Sequence, residues 1–179
     1  MKFRLILAVV FAVLFTGCAA TVSRDASDSK FSEIPKRAAS KLVLNVSGSK
    51  ETMSAEDWAG FKQEWKEKFS EQAQAENIAF EMQDGSPKLT GEDGILLSVF
   101  VQDYRFIRPG TRYAVGVMSG NAFIESKLTF SDLRTGESFG SQTANTSSSA
   151  WEGIFSAMTD KQVDAIATDV FRKIKSGGN

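Results

Sequence analysis

Trp58-Ala-Gly-Phe61-Lys-Gln-Glu-Trp65-Lys-Glu-Lys-Phe69 sets four large aromatic side chains at spacings of three, four and four, the interval that brings residues onto one face of an α-helix. Lys62, Glu64, Lys66, Glu67 and Lys68 occupy the other faces, so the stretch reads as an amphipathic helix from about 55 to 75 whose aromatic stripe belongs to a core. Ser54-Ala-Glu-Asp57 ahead of it reads as a capping box, with the Ser hydroxyl taking an early backbone N–H and Asp57 at the positive helix end. A second such helix ends the chain. Thr159-Asp-Lys-Gln162 repeats the capping pattern, and Val163, Ile166, Ala167, Val170, Phe171 and Ile174 recur at threes and fours before Gly177. A helix with one apolar stripe must bury it against another layer.

The intervening sequence supplies that layer. Leu42, Leu44 and Val46 alternate with Val43, Asn45 and Ser47 ahead of Gly48, and Ile78 to Met82 gives a short second strand. Asp84-Gly85-Ser86-Pro87 is turn chemistry. The run Ile95 to Val101, continuing to Phe106, is dense enough for a central strand covered on both faces at its start. Ala122 to Leu133 and Glu137 to Ser147 flank the Gly136 turn as a hairpin, and the sparse apolar content of the return strand marks it as an edge or solvent-facing one. The expected fold is α+β: two layers, a four- or five-stranded mixed sheet with two amphipathic helices packed on it, in a single domain spanning 40–176. No repeat of 20 to 50 residues points to a solenoid.

The amino terminus reads as an address. Lys2 and Arg4 precede Leu5 to Phe15, an unbroken apolar run of 11 residues, far short of the roughly 20 that cross a bilayer as a helix. Residues 1–17 have the layout of a secretory signal peptide. Thr16-Gly17-Cys18 closes it, and this small-residue pair before the only cysteine resembles the lipobox of bacterial lipoproteins, although Phe15 stands where an aliphatic residue is usual. The resemblance implies a diacylglycerol thioether on Cys18 and cleavage that makes Cys18 the first residue. With Ala19 rather than Asp next, it also implies the periplasmic side of the outer membrane. Residues 18–39 read as the lipidated Cys and a flexible Ser/Asp/Lys-rich tether, long enough to hold the domain roughly 25 Å from the membrane, with Phe31, Ile34 and Pro35 expected to dock onto the domain.

The Gly-bearing stretch from Gly110 to Gly120, then Ser126-Lys-Leu-Thr-Phe-Ser-Asp132 with Thr135-Gly136, a Ser/Thr strand and a final amphipathic helix, resembles short bacterial cell-envelope lipoproteins of a domain-of-unknown-function family over residues 41–175. The resemblance implies an envelope protein and supplies no catalytic residue. The order of elements is also similar to small α+β domains of periplasmic assembly lipoproteins and of the amino-terminal part of TolB, which implies partner binding.

Composition narrows the chemistry. The 179 residues hold 42% hydrophobic side chains, an ordinary globular share. They include no His, which removes imidazole bases and the main zinc ligand. Without Lys2 and Arg4, 19 basic residues face 22 acidic ones, a net charge near −3 with no basic block for nucleic acid. The pairs Glu92-Asp93 and Glu56-Asp57 read as an exposed acidic turn and a helix start. Gly110, Gly116 and Gly120 lack the spacing of a nucleotide loop. Arg105, Arg108, Arg112 and Tyr113 lie within nine residues and offer guanidinium groups and an aromatic to an anionic partner. The sequence therefore predicts no catalytic, cofactor-binding or metal residue. It predicts membrane contact through acyl chains on Cys18, and a partner site at Arg105, Arg108, Arg112 and Tyr113 for an envelope protein, glycan or lipid. A carboxylate-dependent envelope hydrolase and a small-ligand-binding module are the alternatives.

Overall fold

The computed structural model describes residues 22–23, 31–106, 122–147 and 159–177. One mixed sheet contains β1 (Val22–Ser23), β2 (Lys41–Gly48), β3 (Ala79–Gln83), β4 (Ile95–Arg105), β5 (Phe123–Asp132) and β6 (Ser138–Ser147), in spatial order β1-β6-β5-β4-β2-β3. β1 is a two-residue addition to the edge of five longer strands. β2 runs parallel to β3 and β4, and every other pair is antiparallel. Parallel neighbours need a long crossover, which α1 (Lys50–Met53) and α2 (Trp58–Ala75) supply between β2 and β3; α3 (Thr159–Lys175) follows the sheet. The fold is thus the expected α+β class, with α2 and α3 packed side by side on one face.

Both apolar stripes meet the core as their spacing requires. Phe61, Trp65, Phe69 and Ala73 of α2 are buried, as are Val163, Ile166, Ala167, Val170, Phe171 and Ile174 of α3. Trp65 stacks on Phe69 with centroids 5.5 Å apart, and Phe69 meets Phe171 at 6.1 Å. Beneath them lie Leu42, Leu44, Ile95, Leu97, Val99, Leu128 and Phe130.

The helix starts differ from the capping-box reading. Ser49, not Ser54, is a cap: its hydroxyl accepts the Thr52 N–H at 3.1 Å and opens α1. Ser54 ends α1, donating its hydroxyl to the Glu51 carbonyl at 2.9 Å. α2 begins only at Trp58, and Asp57 makes no side-chain cap bond because its carboxylate accepts the Tyr104 hydroxyl at 2.6 Å. Gln162 does not reach back to close a box either; its amide donates to the Ala122 carbonyl at 2.7 Å, tying α3 to the start of β5.

The return strand β6 is an edge of the longer strands, as expected, yet one of its faces is covered. Phe139, Gly140, Gln142, Ala144 and Thr146 are buried. Gln142 donates to Asp169 of α3 at 3.2 Å. Within the stretch read as a flexible tether, Phe31 and Ile34 dock onto the domain as expected, and a strand pairing is added. Val22–Ser23 pair with β6, whose outer edge has backbone groups to satisfy. Phe31 meets Phe130 edge-on at 5.2 Å, beneath Lys173 Nζ at 3.6 Å. Gly140 makes room for it: a Cβ there would stand 3.0 Å from the Phe31 ring. Ile34 is buried, and its N–H donates to the Gly177 carbonyl at 2.8 Å.

At the end of the sheet where β4 begins, Glu92 is exposed as expected and Asp93 partly buried, and both are members of ion pairs. Lys41 binds Glu92 at 2.6 Å and Glu81 at 3.2 Å. Arg37 spans Asp93 at 2.9 Å and the buried Asp132 at 2.6 Å, and Arg134 joins Asp93 at 2.7 Å.

Candidate functional site

The opposite end of the sheet, at the carboxyl ends of β2 and β4, is where open space and polar groups coincide. Gly48 ends β2 in register with Val101, and a Cβ there would stand 2.9 Å from Thr52 Cγ2 and 3.0 Å from the Val101 carbonyl, so glycine lets α1 fold back over the strand end. β4 runs on past this point with a register shift against β5: Val101 faces Ser126, Asp103 faces Glu125, and Gln102 is the extra residue. Such a bulge reverses the alternation of everything after it. Tyr104 therefore turns to the helix side opposite Ile124, stacks on Phe61 at 4.2 Å and reaches Asp57, while Asp103 and Arg105 turn to the other face.

Between α1 and the end of β4 lies an open cleft of about 530 Å³ lined by Ser49, Glu51, Thr52, Ala55, Asp57, Gln102, Asp103 and Tyr104. Burial and the Asp57 carboxylate hold the Tyr104 phenol above its ordinary value, so at neutral pH it donates a hydrogen bond and is not a phenolate. The Glu51 carboxyl is held below its ordinary value by its own backbone N–H and the Ser49 hydroxyl. Hydroxyls, an amide and three carboxylates give this cleft the chemistry to receive a cation or a group rich in donors. A smaller hollow of about 230 Å³ lies between α2 and β3, where Lys62 is paired with Asp84. Glu64, whose carboxyl burial and the nearby Asp160 hold above its ordinary value, lines neither hollow. Among the described residues no group of three or more Asp, Glu, Cys or His side chains is placed to hold a metal ion.

The face of the sheet turned away from the helices is only partly covered. β3 and β4 flank β2, so the chain between them must cross β2, and it crosses here: Asn45 donates to the carbonyls of Gln83 and Gly85 at 3.1 and 2.9 Å. Under this strap Val43, Leu96 and Leu133 form a small separate cluster. The rest is a hydroxyl-rich surface in which Ser47, Phe100, Lys127 and Thr143 stand in register across four strands, beside a second row of Ser98, Thr129 and Ser141. Phe100 is 46% exposed and belongs to neither apolar cluster.

Of the residues singled out by sequence, the structure places Arg105 at the end of β4, its guanidinium 5.7 Å from the centroid of the Phe123 ring. Cys18, Arg108, Arg112 and Tyr113 lie outside the described residues. Asp57, Tyr104 and Phe100 are the residues that sequence reasoning missed. The one available signal was phase: Ile95, Leu97, Val99 and Val101 alternate, and Tyr104 and Phe106 fall out of step with them, as a bulge between them requires.

No family model matches the chain, and no curated protein does. Among solved structures it is similar to the PelC dodecamer protein of Paraburkholderia phytofirmans, at 14% identity and TM-score 0.47 over 82% of this chain and 96% of that one. It is also similar to the Xanthomonas campestris protein XCC0632, a DUF330 protein, at 14% identity and TM-score 0.43 over 86% and 90% of the two chains. A putative neuraminyllactose-binding hemagglutinin homolog of Helicobacter pylori gives 8% identity and TM-score 0.41 over 79% and 86%. The DUF330 protein is, like the family that the sequence resembles, a domain of unknown function. No residue role carries over at such identities.

Proposed function

We propose that this chain is a lipoprotein held on the periplasmic side of the outer membrane by acyl chains on Cys18, and that its domain acts by binding another envelope component rather than by catalysis. The observation that carries the binding reading is Phe100. A phenyl ring 46% exposed, set between Ser47 and Lys127 and outside both apolar clusters, adds nothing to the core, and an aromatic on a flat polar face is the kind of group that anchors an interface. A photo-crosslinking residue at position 100, compared with one at the exposed helix position 67, tests this in intact cells. Discrete adducts from position 100 alone are expected. Equal or absent adducts, or a Phe100→Ala protein that unfolds, would remove the reading. Palmitate labelling with fractionation tests the anchor: label in the wild-type protein and none in Cys18→Ser is the expected result.

The cleft at the end of β4 favours a second reading, a binding module for a small cationic ligand held by Glu51, Asp57 and Asp103. A stabilised thermal midpoint with amines, lost in Asp103→Asn, would move the site from Phe100 to the cleft.

A further inference from the structure

We infer that β1 fixes which end of the domain faces the lipid: the end of the sheet formed by the carboxyl ends of β2, β4 and β6 lies against the headgroup layer, and the end with the Arg37 and Lys41 ion pairs points away from it. The inference rests on the Cys18 anchor proposed above. Val22 pairs with Thr146 and Ser23 with Asn145, antiparallel, so the amino end of β1 lies at the carboxyl end of β6. Cys18 stands four positions before Val22, and covalent geometry keeps their Cα atoms within roughly 14 Å. A polar headgroup layer is itself roughly 5 to 8 Å thick on each side of the bilayer. With its sulfur acylated, Cys18 therefore leaves no room for the roughly 25 Å standoff that an unpaired tether would give.

Register identifies what lies at that end. Ser147 faces Phe123, and Phe123 faces Arg105. α1 folds over the same end, where Met53 is 42% exposed. Among the described residues, Arg105, Lys50, Glu51 and Asp103 give that end charges of both signs, which suits zwitterionic headgroups. At the far end the turn after β5 is about 30 Å away along the strand. The cleft lined by Glu51, Asp57, Asp103 and Tyr104 consequently opens on the membrane side, and the sheet stands on edge with Phe100 facing sideways.

The test uses the full acylated protein in vesicles of phosphatidylethanolamine and phosphatidylglycerol. Cys18 is the only cysteine and its sulfur is blocked by the lipid, so Glu125→Cys and Thr135→Cys each give a unique site for a fluorophore, one near each end. With a quencher attached to lipid headgroups, the probe at 125 should be quenched several-fold more than the probe at 135. Val22→Pro with Ser23→Pro, which removes both N–H donors of β1 and keeps the anchor, should level the two. Equal or reversed quenching in acylated, vesicle-bound protein overturns the orientation and leaves the anchor standing. Protein that carries no lipid on Cys18 and does not float with vesicles overturns both.

Discussion

Tyr104 performs two tasks with one side chain: its ring covers Phe61 and its hydroxyl holds Asp57 at the entry to α2. Tyr104→Phe keeps the ring and strands the carboxylate, so we expect a loss of about 1 to 2 kcal/mol in urea unfolding, the range for a hydrogen bond to a charged group with partial solvent access. An unchanged midpoint would mean that water replaces the phenol at no cost. Asp132 gives a second residue-level expectation. Burial alone would raise its carboxyl, but the Arg37 guanidinium and the N–H groups of Arg134 and Thr135 outweigh burial and hold it below the ordinary carboxylate value. A depressed native value means the unfolded chain binds the proton more tightly, so this contribution is complete above the unfolded value, about 3.9, and is lost as pH falls through the native one. Asp132→Asn should lower stability at neutral pH and flatten the acid limb of the stability curve. An acid limb parallel to wild type would assign that limb to other carboxylates. Neither contact was legible in the sequence, because each joins residues 47 and 95 positions apart and no local pattern marks a partner at such a distance.

The aromatic stripe of α2 is the element on which sequence and structure agree most closely. Spacing alone assigns Trp58, Phe61, Trp65 and Phe69 to a core; the last three are buried, and Trp58 is partly buried against them. Trp65→Ala should cost about 3 to 5 kcal/mol. The indole N–H of Trp65 has no hydrogen-bond partner among the described residues, so Trp65→Phe removes an unsatisfied donor along with part of the volume and should cost less than about 1.5 kcal/mol. Denaturant melts of both variants decide this, and a Phe variant as weak as the Ala variant would mean that shape alone matters here. The elements least legible were those where tertiary demands displaced a local signal. Ser54 and Asp57 fit a capping box, but α1 took the first and Tyr104 the second. β6 reads as an edge or solvent-facing strand because its apolar content is sparse; it is the edge of the longer strands, but Gln142, Ala144 and Thr146 are buried and Gln142 bonds Asp169 of α3. The bulge at Gln102, which builds one wall of the cleft, changes the phase of β4 without a glycine or proline to announce it.

At the scale of the whole molecule, periodicity made the two-layer arrangement legible, since two one-sided helices and several strands admit few other packings. It did not reveal that β2 lies between β3 and β4, or that the chain doubles back over β2 to achieve this. That placement bears on the order in which the structure can assemble. β4, β5 and β6 follow one another as neighbours across connections of 17 and 5 residues, whereas β2 pairs with β3 38 positions on, Leu42 with Phe80, and with β4 53 positions on, Leu42 with Ile95 and Gly48 with Val101. Loop closure over longer separations carries the larger entropic cost. In pulsed hydrogen exchange during refolding, amides of the β4 to β6 meander should gain protection before those of β2 and β3. Simultaneous protection would place β2 in the nucleus. Until both pairings are made, Leu42-Val43-Leu44-Asn45-Val46 has an open edge and an apolar composition, the profile of a segment that adds to a neighbouring chain. An inner strand of the finished sheet is thus an aggregation-prone segment while the chain is still folding.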